Sequence, residues 1–138
     1  YPARPIRFIV PTTPAGPTDT LARVLSERLS KALGQQVVVD NRPGAGGRIG
    51  IEVASKSAAD GYTIFIGSQG NLTVHPALHR KLPYDLDRDF APIVLLVRVR
   101  AYFLLVNPGV PANNLRDLLN LIRSKPGQIN FASERSFT

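Results

Sequence analysis

The chain contains no cysteine, methionine or tryptophan. Absence of cysteine excludes disulfides, thiolate metal sites and cysteine nucleophiles together, and it suits an oxidising compartment without proving one. Absence of methionine means no start residue, so the opening YPARPIR reads as an end exposed by processing or by cloning. No apolar run approaches the roughly 18 residues of a helical membrane span. Aromatics are few, at 7%, and acidic residues are outnumbered, 10 against 17 basic ones.

What is present is a packable chain with many defined turns. Of 138 residues, 43% are hydrophobic and 20% charged, with 12 prolines and 11 glycines. Nothing in that balance suggests disorder. The length fits one ordinary domain, or one lobe and part of another. A net charge of +7 favours anionic partners by long-range steering. The cations are scattered, with no basic block and little aromatic interleaving, which argues against nucleic acid.

Periodicity predicts an α/β fold with a mostly parallel sheet and flanking helices. Residues 6–10 read as a buried strand. Thr18 or Asp19 is expected to cap a helix carrying Leu21, Val24, Leu25, Leu29, Ala32 and Leu33, stopped at Gly34. Residues 36–40 (QVVVD) form a second buried strand, and the strand–helix–strand order implies a parallel crossover. A second helix is expected over 48–56, with Ile49, Val53 and Ala54 inward. Residues 62–66 give a third strand. A short helix falls within 71–80, and 82–90 reads as irregular and acidic. Further strands are expected over 93–99, 102–106 and 129–132, with a helix capped by Asn113 or Asn114 and ended at Lys125-Pro126-Gly127.

Two loops are candidate sites. The first, 12–19, joins a strand to a helix. Such a turn aims free backbone N–H groups and the positive end of the helix dipole at whatever lies above the strand, so it favours an anion. Thr12, Thr13, Ala15, Gly16 and Thr18 are its candidate ligand-binding residues, while capping and dipole interaction suit Asp19 better than anion contact. The second loop, 67–71 (GSQGN), lies at the same sheet edge if the strands are parallel. Ser68, Gln69 and Asn71 are its candidate donors.

Other motifs read structurally. NRPGAGGRIG lacks the Lys-Ser/Thr of a phosphate-binding loop and reads as a packing loop, with Gly46 and Gly47 near the cleft rim. His75 and His79 have helical metal spacing but no further ligand. Asp85, Asp87 and Asp89 alternate without the glycine and glutamate of a calcium loop. Arg98 and Arg100 alternate on one face and read as solvent-exposed or salt-bridged. No catalytic set, cofactor site or metal site is expected.

Seven ordered blocks carry a resemblance: YPARPIRFIVP, AGPTDTLAR, LGQQVVVDNRPGAGGRIG, ADGYTIFIGSQGN, KLPYD with DFAPI, LLVNP and KPGQINFAS. In this order they resemble the Bug-type (TctC-like) periplasmic receptors of tripartite tricarboxylate transporters. The resemblance implies a type II periplasmic-binding-protein-like fold, two α/β lobes joined by hinge strands and closing on a small carboxylate. It covers the front half of such a receptor. Residues 1–101 would be an incomplete first lobe, and 102–138 the hinge crossing and start of the second. Thr12 and Thr13-Pro14-Ala15-Gly16 stand where the family usually has an aromatic and Pro-Pro-Gly-Gly, which makes this wall more polar. Ser133 is a candidate ligand contact, with Arg135 and Phe137 where the family carries small residues.

The partners implied are a small carboxylate and membrane transporter subunits, in the periplasm. Exposed sheet edges would let two copies pair as a homodimer if the chain is a truncated lobe. Two rival readings remain open at this point. One is a small α/β hydrolase using the same loops. The other is a truncated receptor serving as an interaction module for a sensor or partner protein.

Overall fold

The computed structural model describes residues 1–79, 81–98 and 103–130. It divides into two compact units, Tyr1–Pro92 and a second that begins at Ile93.

The first unit is built on a three-stranded parallel sheet in the order β2-β1-β3. The strands are β1 (Ile6–Val10), β2 (Val37–Asn41) and β3 (Thr63–Phe65). Helix α1 (Pro17–Leu33) follows β1, and α2 (Arg48–Ser55) follows β2. Alternation along β1 assigns the two faces. Ile6, Phe8 and Val10 join Val37, Ile66 and Ala22 in the core, with Leu21, Leu25 and Leu29 of α1 packed on them. Ile9 points the other way, where α2 supplies Ile51, and both are fully buried. Each such side chain contributes roughly 1.5–3 kcal/mol by leaving water.

The predicted α1 stripe is rotated in the structure. Val24, Ala32 and Leu33 are exposed, whereas Ala22 and Ser26 are buried. Small residues let the helix approach the sheet, and its serines then bond the edge strand. Ser26 Oγ donates to Val37 O, and Val37 N donates to Ser30 Oγ at 2.9 Å. The helix stops at Gly34, whose φ of 66° is the expected left-handed ending.

The second helix begins where expected, but Ile49 is half exposed and Gly50 and Ile51 face inward. Ile49 instead covers Gly44, where a Cβ would lie 2.6 Å from its Cδ1. Strand β2 is less buried than its run of valines suggests. It is an edge strand, and Val38 is exposed on it.

After β3 a wide helical turn (Gly70–Val74) leads into α3 (His75–Leu78). His75 is buried and meets His79 edge to face at 5.6 Å. The acidic stretch is partly helical, not irregular: α4 (Leu86–Asp89) forms one turn. Asp85 caps it, accepting from Asp87 N at 3.0 Å and Arg88 N at 3.1 Å, while Asp89 accepts from Asp85 N at 2.8 Å. The aspartate alternation is thus a reciprocal cap.

In the second unit, α5 (Leu115–Ser124) is capped by Asn114, whose Oδ1 accepts Asp117 N at 3.0 Å. The apolar runs 93–98 and 103–106 form no strand. They have no ladder partner among the described residues, and most of their side chains are exposed. An isolated apolar run cannot satisfy its backbone groups as a strand by itself. Residues 129–130 are likewise unpaired, and the remainder of that expected strand, with Arg100 and Ser133, lies outside the described residues. No helix among the described residues is long and apolar enough to cross a membrane.

Candidate functional site

Three loops leave the carboxyl ends of parallel strands, so all three reach one edge of the sheet. Residues 11–16 lie between β1 and α1, residues 42–47 between β2 and α2, and residues 66–69 beyond β3.

The first loop is set by proline. Pro17 is the first helical residue, and the residue before a proline is pushed to extended backbone. Gly16 accordingly takes φ −78°, ψ 169° and becomes the N-cap. This corrects the expectation of a Thr18 or Asp19 cap, for both already lie inside the helix. A glycine cap has no side chain to satisfy the first turn. Among the described residues, the N–H groups of Gly16, Thr18 and Asp19 have no partner, the first bonded amide being Thr20 N to Gly16 O at 2.9 Å. Thr12 Oγ1 is also buried without a partner there. The Thr18 hydroxyl makes no hydrogen bond among the described residues, and Thr13 and Ala15 are exposed.

Asp19 has a role that spacing did not show. Its side chain turns back, and Ala15 N donates to Oδ2 at 2.8 Å. Arg23 Nε donates to the same oxygen at 2.8 Å, and Asn41 Nδ2 donates to Oδ1 at 2.9 Å. Asn41 Nδ2 also donates to Thr12 O at 3.1 Å. Hydrogen bonds from Arg23, Asn41 and Ala15 hold the Asp19 carboxyl down to a pKa of about 2, outweighing desolvation. The signals were the four-residue spacing to Arg23 and an asparagine ending a strand. Neither alone identifies a hub.

The second loop is closed by packing. A Cβ on Gly50 would lie 2.7 Å from Arg42 O and 2.8 Å from Pro11 Cα, and one on Gly47 would lie 2.6 Å from Asn71 Nδ2. Here the glycines let three segments meet.

The third loop divides its candidates. Asn71 is buried and committed, its Nδ2 donating to Gly46 O at 2.7 Å and its Oδ1 accepting from Ser68 Oγ at 2.8 Å. Its amide therefore ties two loops together. Ser68 and Gln69 are exposed on the same edge, and the Gln69 side chain makes no hydrogen bond among the described residues. Near Arg48, Tyr84 is buried with a hydroxyl that has no partner among the described residues, and burial pushes its pKa up.

Two shallow, open concavities lie elsewhere. One of about 620 Å³ sits at the amino ends of β1 and β3, beside Arg4, Arg7, Lys56 and Tyr62. One of about 500 Å³ runs along α1 and β2 beside Arg23 and Glu27. The four cations are already paired with Asp60, Asp40, Glu52 and Asp19.

Residues 21–138 match the tripartite tricarboxylate transporter family receptor, TctC. The chain belongs to the TctC family. Among TctC relatives, Protein BugT of Bordetella pertussis is 44% identical over 133 residues, 96% of this chain and 40% of BugT. The structure of R. palustris Rpa4515 with adipate superposes with a TM-score of 0.82 at 37% identity, covering 94% of this chain and 43% of that one. MatC from Rhodopseudomonas palustris with bound malate gives a TM-score of 0.73 at 31% identity, covering 90% and 42%. The fold is that of periplasmic binding proteins. The chain spans about 40% of the length of the curated relatives it matches.

Proposed function

We propose that this chain carries the carboxylate-binding wall of a periplasmic solute receptor, which delivers a small carboxylate to a tripartite tricarboxylate-type membrane transporter. The observation that carries the reading is the pair of N–H groups at Gly16 and Thr18, without a partner among the described residues, at the start of a helix whose cap has no side chain. Such donors, with the helix dipole behind them, replace water around a carboxylate. Thr12, Thr13 and Thr18 add hydroxyls beside them. Gln69 extends the wall, directly or through waters, and Ser68, whose hydroxyl proton goes to Asn71, could join it by rotating that hydroxyl toward a water.

Ala15 and Asn71 support the wall but offer no free amide to a ligand, since each is bonded within it. Residues 1–101 would form the first lobe, and 102–138 the crossing and the start of the second. Solved relatives with adipate and with malate fit the substrate class. Receptor relatives support binding without turnover. One wall leaves a ligand half hydrated, so binding by this chain alone should be weak.

The test is a titration of the chain with adipate and with malate, followed residue by residue through backbone amide shifts. Saturable shifts centred on Gly16 and Thr18, smaller at Ser68 and Gln69, are expected in the millimolar range. Shifts centred on the amino-end groove, or none at solubility-limited acid, would overturn the reading. So would sub-micromolar binding by a monomer, because a single wall cannot supply it.

A further inference from the structure

The turn before α1 holds an L-residue in a conformation that such residues resist. Ala15 lies at φ 67°, in the left-handed region where Cβ crowds the backbone. Backbone of this kind persists where surrounding contacts enforce it. The contact is one turn further on, where the Asp19 carboxylate accepts the Ala15 N–H at 2.8 Å. That carboxylate is itself immobile. It is 1% exposed, and Arg23 and Asn41 bond its two oxygens. Asn41 also reaches the carbonyl of Thr12, at the far end of the same turn.

Asp19 and Ala15 therefore act as a unit. Without the carboxylate, the Ala15 amide loses its acceptor and the residue relaxes toward negative φ. That rotation swings Gly16 and the start of the helix with it. We infer that Asp19 is a positioning residue for the carboxylate site, holding Ala15 in its left-handed conformation so that the Gly16 and Thr18 N–H groups face outward. This rests on the proposed function. The pairing also explains how a carboxylate is tolerated beneath an anion site. Arg23 compensates its charge, and the N–H it occupies is not one of the outward two.

A glycine adopts positive φ without enforcement, which supplies the test. Asp19→Ala is made in the native chain and in Ala15→Gly. Adipate affinity is read by amide shifts, and exchange protection of amide 15 is read without ligand. In the native background, Asp19→Ala should weaken adipate about tenfold, a coupling of ordinary size for residues in contact, and should expose amide 15. In the glycine background the loss of affinity should shrink to about threefold or less.

Equal losses in both backgrounds would overturn the inference, because Asp19 would then act through charge or helix stability alone. Should Asp19→Ala not fold, Asp19→Leu keeps about the same shape without an acceptor and carries the same cycle. The two readouts separate the two claims. Protection of amide 15 that depends on Asp19, with no acid bound by any variant, sinks the proposed function and not the coupling. Acid binding at the predicted amides without the coupling sinks this inference alone.

Discussion

The loops after β1 and β2 look alike in composition and do opposite work. Each is built from glycine, proline and small residues, and each holds an alanine at positive φ, Ala15 at 67° and Ala45 at 49°. In the first, a Cβ on Gly16 would meet only Thr13 O, at 3.6 Å. In the second, Cβ atoms on Gly47 and Gly50 would collide with neighbours at 2.6–2.7 Å. The first loop uses glycine to leave space in front of backbone donors. The second uses it to remove space, so that α2 can press on Pro11. Glycine content alone does not separate a binding loop from a packing loop; what stands opposite each α-carbon does.

The contrast is most easily broken at Gly50. Gly50→Ala drives a methyl into the Arg42 carbonyl and the Pro11 backbone, neither of which is the end of a flexible side chain. Overpacking of this kind costs about 2–3 kcal/mol. Gly16→Ala meets no such wall, and its loss of cap preference is offset by a stiffer unfolded chain, leaving about 0.5 kcal/mol or less. Urea denaturation of both variants checks the pair. Comparable losses at the two positions would erase the distinction between the loops.

Asn71→Ala comes next in size. It removes the donor to Gly46 O and the acceptor for Ser68, leaving a carbonyl unpaired beneath the second loop. Unpairing a buried polar group costs about 1–3 kcal/mol. The variant should lower the urea midpoint and raise amide exchange in both the second and third loops, while leaving Ala15 protected. If Asn71 were instead a ligand donor held loosely by its neighbours, its loss would barely change stability.

The regular framework was legible because it depends on local pattern. The strand 6–10, the stop at Gly34, the cap at Asn114 and the parallel sheet each follow from periodicity and turn chemistry in a short window. The rotated face of α1 was not legible. Leucine spacing marks an apolar stripe, but the close approach at Ala22 and Ser26 is set by hydrogen bonds to β2, which no helical pattern records. Ile49 failed similarly, since which face of α2 turns inward depends on the glycine that Pro11 demands. The runs 93–98 and 103–106 have strand composition, but a strand is a property of a pair. At the site, the open helix start could be read from Pro17 once its effect on Gly16 is considered. The hub at Asp19 could not, because its partners Ala15, Arg23 and Asn41 come from three separate elements.

The smallest effect separates the loops by the kind of force that holds them. Asp19, a charged group, supports the first loop, whereas the second leans on packing and a neutral amide. The folded-state pKa of Asp19 lies near 2, below its ordinary 3.8. A depressed carboxyl stabilises the fold fully above its unfolded value and loses that contribution as pH falls toward the folded one. Arg23 is half exposed, so solvent screens part of the pair and the effect on global stability should be modest. Local protection is the sharper measure. Between pH 4 and 2, exchange at amide 15, corrected for intrinsic rate, should accelerate relative to that at Gly47. In Asp19→Asn the ratio of the two should stay flat over the same range. A native ratio that does not move with pH would mean that the first turn is held by packing after all, and the two loops would then differ only in what they face.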